Sequence, residues 1–144
     1  MKRIVIDANI AVKWHLDDEE YVDKAVAIRD AFLEEKLKLI APIILPIEWA
    51  NAINVAIKRG RFPEGEWRDA LREFEDIQIP IINTPGLLTL AWSIARRFDK
   101  EIYDGIYIAL AQVENCELIT NDRKLFNSVQ EHLPWVKWLG DFSI

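Results

Sequence analysis

Cysteine is almost missing from this chain, Cys116 being the only one in 144 residues. A lone thiol closes no intramolecular disulfide, and neither His15 nor His132 has a cysteine or histidine at zinc-ligand spacing. Positive charge is also in deficit. With 18 basic against 24 acidic residues the net charge is −6, so no long-range field draws the chain onto nucleic acid, and any such chemistry falls to local patches or a metal. Long apolar runs are lacking too. The stretch after Lys2 and Arg3 is cut by Asp7, too soon for a signal-peptide core, and no run reaches the roughly 20 residues that span a bilayer. No repeat, linker or low-complexity segment interrupts the sequence. A soluble, cytoplasmic protein of one domain, residues 1–144, is the expectation, large enough to bury roughly two thirds of its unfolded surface.

What is present in quantity is apolar surface, 51% of the residues, with six tryptophans. "RIVID" at 3–7 reads as a strand buried on both faces, and Asp17 or Asp18 could cap a helix over about 19–37. "KLIAP" follows as a second strand. Pro46 suits a helix first turn, in a helix that continues to Gly60, and another starts after Pro63. "IPIIN" at 79–83 reads as a third strand, "TPG" opens a helix through Leu87 to Ala95, and Asp104 begins "DGIYIALAQVEN". A strand at 117–120, a short helix near Asp122 and an edge strand at 135–139 complete the pattern. Strands alternating with helices predict an α/β sandwich with a mainly parallel sheet.

In such a sheet, ligands bind beyond the C-terminal strand ends, where both Asp7 and Asp122 fall. Each acid has a bland alternative: Asp7, Asp104 and Asp122 could cap helices, and Glu48 sits in a first turn where the macrodipole favours negative charge. Together they weigh more. Were all four to approach within about 6 Å, each pair would repel by roughly 3 kcal/mol at an effective dielectric of about 20. Summed over the pairs, that upper bound rivals the stability of a whole domain. The cluster therefore calls for a cation. Oxygen ligands without Cys or His select Mg²⁺ or Mn²⁺, whose expected use is activation of water against a phosphodiester.

At these residues the chain resembles a known family. "IDAN" at the end of a first strand, Glu48 early in a helix, "YDGIYIALA" and "LITND", in that order, are similar to the PIN domain, and the compact size resembles the VapC toxins of type II toxin–antitoxin systems. Gly105 stands where the family more usually has alanine. The resemblance implies a three-layer α/β/α fold and a Mg²⁺- or Mn²⁺-dependent endoribonuclease. Asp7, Asp104 and Asp122 would bind metal, Glu48 would join them directly or through water, and Asn9 and Thr120 would orient the carboxylates or the attacking water. It also implies a VapB-type antitoxin whose tail lies in the groove leading to these acids. An arginine, with planar paired donors, is the side chain best suited to fill a four-carboxylate pocket in place of metal.

Arg123 and Lys124, beside Asp122, are placed to hold a phosphate backbone. Lys58, Arg59 and Arg61, like Arg96, Arg97 and Lys100, read first as solvated helix ends. Trp14 and Trp49 read as core or interface, His15 as dispensable, and Cys116 as a small buried hydrophobe. The apolar band of the helix at 46–59 is too wide for one inner stripe, which predicts a homodimer built on it and on the helix at 64–77. Two other functions fit the sequence less well: a catalytically inactive PIN-like protein-binding module, which has no use for four mutually repelling acids, and a metal-dependent phosphohydrolase or DNase.

Overall fold

The structure, a computed structural model, describes all residues 1–144. In chain order the elements are β1 (Arg3–Ile6), α1 (Ala8–Val12), α2 (Val22–Leu33), β2 (Lys38–Ile40), α3 (Ile44–Lys58), α4 (Trp67–Ile77), α5 (Leu87–Phe98), α6 (Ile102–Val113), β3 (Glu117–Thr120), α7 (Arg123–Val129) and β4 (Val136–Trp138). Single 3-10 turns at Glu64–Glu66 and Leu139–Asp141 supplement them.

The four strands form one all-parallel sheet in the order β2-β1-β3-β4. Successive strand side chains point to opposite faces, and Ile4, Val5 and Ile6 are all fully buried, as are Leu118, Ile119 and Thr120. Both faces of the sheet are therefore covered, which makes the molecule an α/β/α sandwich. α6 packs on β1 and β3 and is itself overlaid by α5, while α1 packs against α3 and α7 against β4. The chain moves from β1 to one side, to β2, and then crosses to β3 on the other side. The order thus reverses between β1 and β3, and a crevice at a parallel sheet's ligand-binding edge forms at such a switch point. The register pairs Ile6 with Ile119, so Asp7 and Thr120, one residue further on, leave the sheet side by side.

Three expectations are corrected. The segment 79–83 makes only one bridge, Ala41 to Ile81, with Ala41 N–H on the Pro80 carbonyl at 3.0 Å and Ile82 N–H on that of Ala41 at 2.9 Å. Pro80 has no N–H to extend the ladder. The helix expected over 19–37 is α2, shorter at both ends. Asp18 caps nothing, because its two oxygens take Arg61 Nε and Nη2 at 3.0 and 2.9 Å, and α2 starts after a left-handed Tyr21. It ends in a left-handed Glu35, with Lys36 N–H reaching back to the Ala31 carbonyl at 2.8 Å. Third, Asp104 does not begin α6. The cap position is Glu101, and Asp104 lies within the first turn. That turn approaches α5 so closely that a Cβ on Gly105 would collide with the Ala91 carbonyl; glycine at this position is what lets the two backbones meet.

The apolar band of α3 is largely absorbed within the chain, since Leu45, Trp49, Ile53 and Ala56 are buried and Trp49 stacks on Phe74 of α4 at 4.5 Å. Ile43 and Ile47 stay exposed, and a groove of about 340 Å³ between α3 and α4 is lined by Trp49, Ile53, Ile57, Trp67 and Leu71. No helix is long and apolar enough to cross a membrane.

Candidate active site

Asp7 follows β1 directly and is buried although charged by nature. It occupies the cap position of α1 without a capping bond of good geometry, the Asn9 N–H only lying near enough to favour its ionised form, so capping does not account for its burial. Instead, Oδ2 accepts a hydrogen bond from Thr120 Oγ1 at 3.0 Å across the switch point. The Thr120 hydroxyl in turn accepts from the Asp122 backbone N–H at 3.0 Å and, at 3.5 Å, from Asn9 Nδ2. Asn9 Oδ1 takes the Asn121 N–H at 3.2 Å. One fully buried hydroxyl thereby donates once and accepts twice, and ties the loop after β1 to the loop after β3.

Asp122 does cap α7, its Oδ1 accepting Leu125 N–H at 3.0 Å, as the bland reading held. That bond fixes the side chain and uses only one of its oxygens, so capping and a role in the site are compatible.

The other two acids come from helices. Asp104 feels the charges of Asp122, Glu101 and Glu48, and Asp7 those of Glu48 and Asp104, so all four predicted carboxylates are electrostatic neighbours. Burial is the main force on them. It pushes Asp7 up to about 7, against the Thr120 hydrogen bond that favours the ionised form, with Glu48 and Asp104 adding to the rise. Burial followed by repulsion from Asp122, Glu101 and Glu48 lifts Asp104 to about 6, opposed by Lys100. Burial also raises Glu48.

Whether these residues suit a cation can be judged from what they leave unpaired. Glu48 Oε1 and the Tyr107 hydroxyl are buried near each other, yet neither has a partner of hydrogen-bond geometry; Asn121 Oδ1 is buried and unpartnered as well. Unpaired buried acceptors in an acidic, all-oxygen setting fit a hard divalent ion. As they stand, the acids are neighbours and not a closed cage, since no three of them approach closely enough to enclose one ion.

Glu101 and Tyr107 escaped the sequence reading. Both lie one turn from Asp104, at i−3 and i+3, and that spacing on a recognised helix was the available signal. Arg123 places its guanidinium over the Trp138 ring at 4.0 Å, whereas Lys124 makes no side-chain contact of note. His15 is engaged elsewhere, Nε2 meeting Glu73 at 3.3 Å and the ring standing edge-on to Trp49, and Trp14 donates to the Ala25 carbonyl at 2.8 Å. Cys116 is a partly buried free thiol, raised by that burial.

Comparison with known proteins bears on this geometry. The chain is 28% identical over 131 residues to VapC ribonuclease Mb0985 of Mycobacterium bovis and to Ribonuclease VapC9 of Mycobacterium tuberculosis, covering 91% of this chain and 94% of each relative. Its fold is similar to the crystal structure of PAE2754 from Pyrobaculum aerophilum, with a TM-score of 0.63 at 20% identity, over 97% of this chain and 92% of that one. It is also similar to a chain of a toxin-antitoxin complex from Klebsiella pneumoniae, with a TM-score of 0.55 at 22% identity, over 98% and 99%. The pattern of the PIN domain family matches residues 4–131, from β1 through α7, so the chain belongs to the PIN domain family.

Proposed function

We propose that this protein is a Mg²⁺- or Mn²⁺-dependent endoribonuclease of the VapC type, restrained by a VapB-type antitoxin. The observation that carries the reading is the buried Asp7 at the switch point, bridged by Thr120 to the Asp122 loop and faced by Asp104 and Glu48. RNA as substrate is supported by the ribonuclease names of the curated relatives.

Asp7, Asp104 and Asp122, with Glu48, would hold the ion. The chemistry a bound Mg²⁺ or Mn²⁺ supplies is neutralisation of phosphate charge and activation of water. The chain's own residues do the positioning. Thr120 holds the Asp7 carboxylate and the Asp122 backbone in one arrangement, and Asn9 pins Asn121 beside them. Such partners of ligating groups typically contribute about 10- to 100-fold. Buried walls, including Tyr107, keep Asp7 poorly solvated, which favours its protonated form without metal and would strengthen its pull on a cation once ionised. Arg123 and Lys124, at the start of α7, would steady the phosphate backbone.

The antitoxin reading draws support from the toxin-antitoxin complex among the similar structures. An arginine from its tail would occupy the acidic site in place of metal, so antitoxin and Mn²⁺ should compete. A homodimer through α3 and α4 would cover Ile47, Trp67 and the groove between these helices.

Labelled RNA, DNA and a generic phosphoester, each incubated with and without Mn²⁺, test the function. Cleavage of RNA alone, abolished by chelator, is the expected result. Cleavage of DNA or of the phosphoester in preference would make the protein another metal phosphohydrolase, and no cleavage of any of them would make it a binding module.

A further inference from the structure

α5 turns its buried face, Leu87, Ala91, Ile94 and Ala95, toward the interior, and shows solvent a second line at helical spacing: Leu88, Trp92 and Arg96. Lys100 and Tyr103 continue that line over the turn into α6, where Asp104 is the next residue. Trp92 is 57% exposed and Tyr103 54%, a large aromatic outlay on the surface of so small a domain. The two flank a groove of about 770 Å³ that also takes in Arg96, Asp99, Lys100 and Glu101.

The cations here are free. Arg3, Arg29 and Arg61 are ion-paired and Arg97 and Arg123 lie over aromatic rings, whereas Arg96 and Lys100 enter no ion pair. Lys100 is close enough to Asp104 to act on its charge, which joins the groove to the active site. Arg96 and Lys100 lie between the two exposed rings of Trp92 and Tyr103, in a chain whose overall charge is repulsive to nucleic acid. Lys, Asp and Glu are depleted at the centre of a contact between protein copies, and this groove carries Lys100, Asp99 and Glu101, whereas unpaired cations set beside exposed rings suit a polyanion with stacking bases.

We infer that the groove between Trp92 and Tyr103 is the track along which single-stranded RNA reaches Asp104, with bases stacked on the two rings and phosphates on Arg96 and Lys100. This rests on the ribonuclease reading and adds the substrate's path to it. Asp99 and Glu101 in the same groove oppose indiscriminate anion binding, so free phosphate should not be held there.

The test is fluorescence anisotropy of a labelled single-stranded RNA 12-mer with the full chain in chelator, together with cross-linking of a 5-iodouridine version and mass spectrometry of the adduct. Trp92→Ala should weaken binding roughly 5- to 100-fold, and Trp92→Phe, which keeps a π face, should restore most of the affinity. Arg96→Ala should lower the slope of log affinity against log salt by about 0.7, and Lys58→Ala, on the far end of α3, should not. Adducts should map to Trp92 or Tyr103. Parental affinity in Trp92→Ala, or adducts confined to other residues, would overturn the track. So would a Trp92→Ala variant that turns a dimer into monomers with the RNA salt slope intact, which would mark the face as a contact between copies. If the parent cuts RNA while these variants bind like it, only the track fails; if the parent neither binds nor cuts RNA, the track falls with the ribonuclease reading.

Discussion

The acidic site has two halves held by different forces. The half carried by strands, Asp7 and Asp122, is fastened by hydrogen bonds through Thr120 and to the α7 amide, and the β1–β3 register sets its spacing. The half carried by helices has no such fastening. Glu48 Oε1 is unpartnered, and Asp104 is placed by a helix start that depends on the close contact of Gly105 with α5. On the proposed reading the strand loops would hold a fixed geometry, and a bound cation would offset the repulsion that the helix acids feel from their neighbours.

The strongest way to break this comparison is to remove a charge from each half. Asp7→Asn and Asp104→Asn should both abolish metal-dependent cleavage of RNA, while thermal unfolding in chelator shows each variant at least as stable as the parent, since the amide relieves burial of charge and repulsion. A variant that cuts RNA at the parental rate would remove its half from the site.

The metal-free protein should respond to pH through the same groups. Asp7 and Asp104 have folded values of about 7 and about 6, above the ordinary 3.8, so the folded state binds more protons than the unfolded chain between these limits. Their contribution is fully present below about pH 4 and is lost as pH rises through 6 to 7, amounting to on the order of a few kcal/mol. Denaturant titrations in chelator at pH 5 and pH 8 should show this fall, Asp7→Asn should flatten it, and added Mn²⁺ should reverse it. A stability that rises with pH across this window would contradict the assigned burial of Asp7.

Gly105→Ala sharpens the contrast from the helix side. The methyl group meets a backbone carbonyl that cannot turn aside, so a loss of about 1–3 kcal/mol in stability is expected, read as a lower Tm, with Asp104 displaced and cleavage reduced. A neutral outcome would mean that α5 and α6 can separate slightly at no penalty. The smallest effect should come from the strand side: Thr120→Val loses the tie to Asp7 but no charge, and about a 10- to 100-fold fall in cleavage is expected. An effect as large as that of Asp122→Asn would make Thr120 a direct ligand.

The strand half was the more legible in the sequence, for a physical reason. Apolar runs ending in Asp7 and in "TND" announce parallel strands buried on both faces, whose C-terminal ends must lie at one edge. Glu48 and Asp104 could be placed on helices but not oriented. Whether they face the edge depends on how α3 and α6 pack, and the Asp104 cap reading failed because α6 is capped by Glu101, three residues before Asp104. Pro80 was the visible sign that the segment at 79–83 could not extend a ladder, whereas the Asp18–Arg61 pair, formed between residues far apart in sequence, hid the late start of α2. The free cations Arg96 and Lys100, at and just past the end of α5, looked like any solvated helix end until the fold set two exposed aromatic rings beside them.

The most direct test of the two-part site is a Mn²⁺ titration followed by electron paramagnetic resonance, in which the signal of free ion disappears on binding. The parent should take up Mn²⁺, and both Asp7→Asn from the strand half and Glu48→Gln from the helix half should weaken uptake markedly. Undiminished binding in either variant, or no uptake by the parent, would contradict a metal site shared between strands and helices.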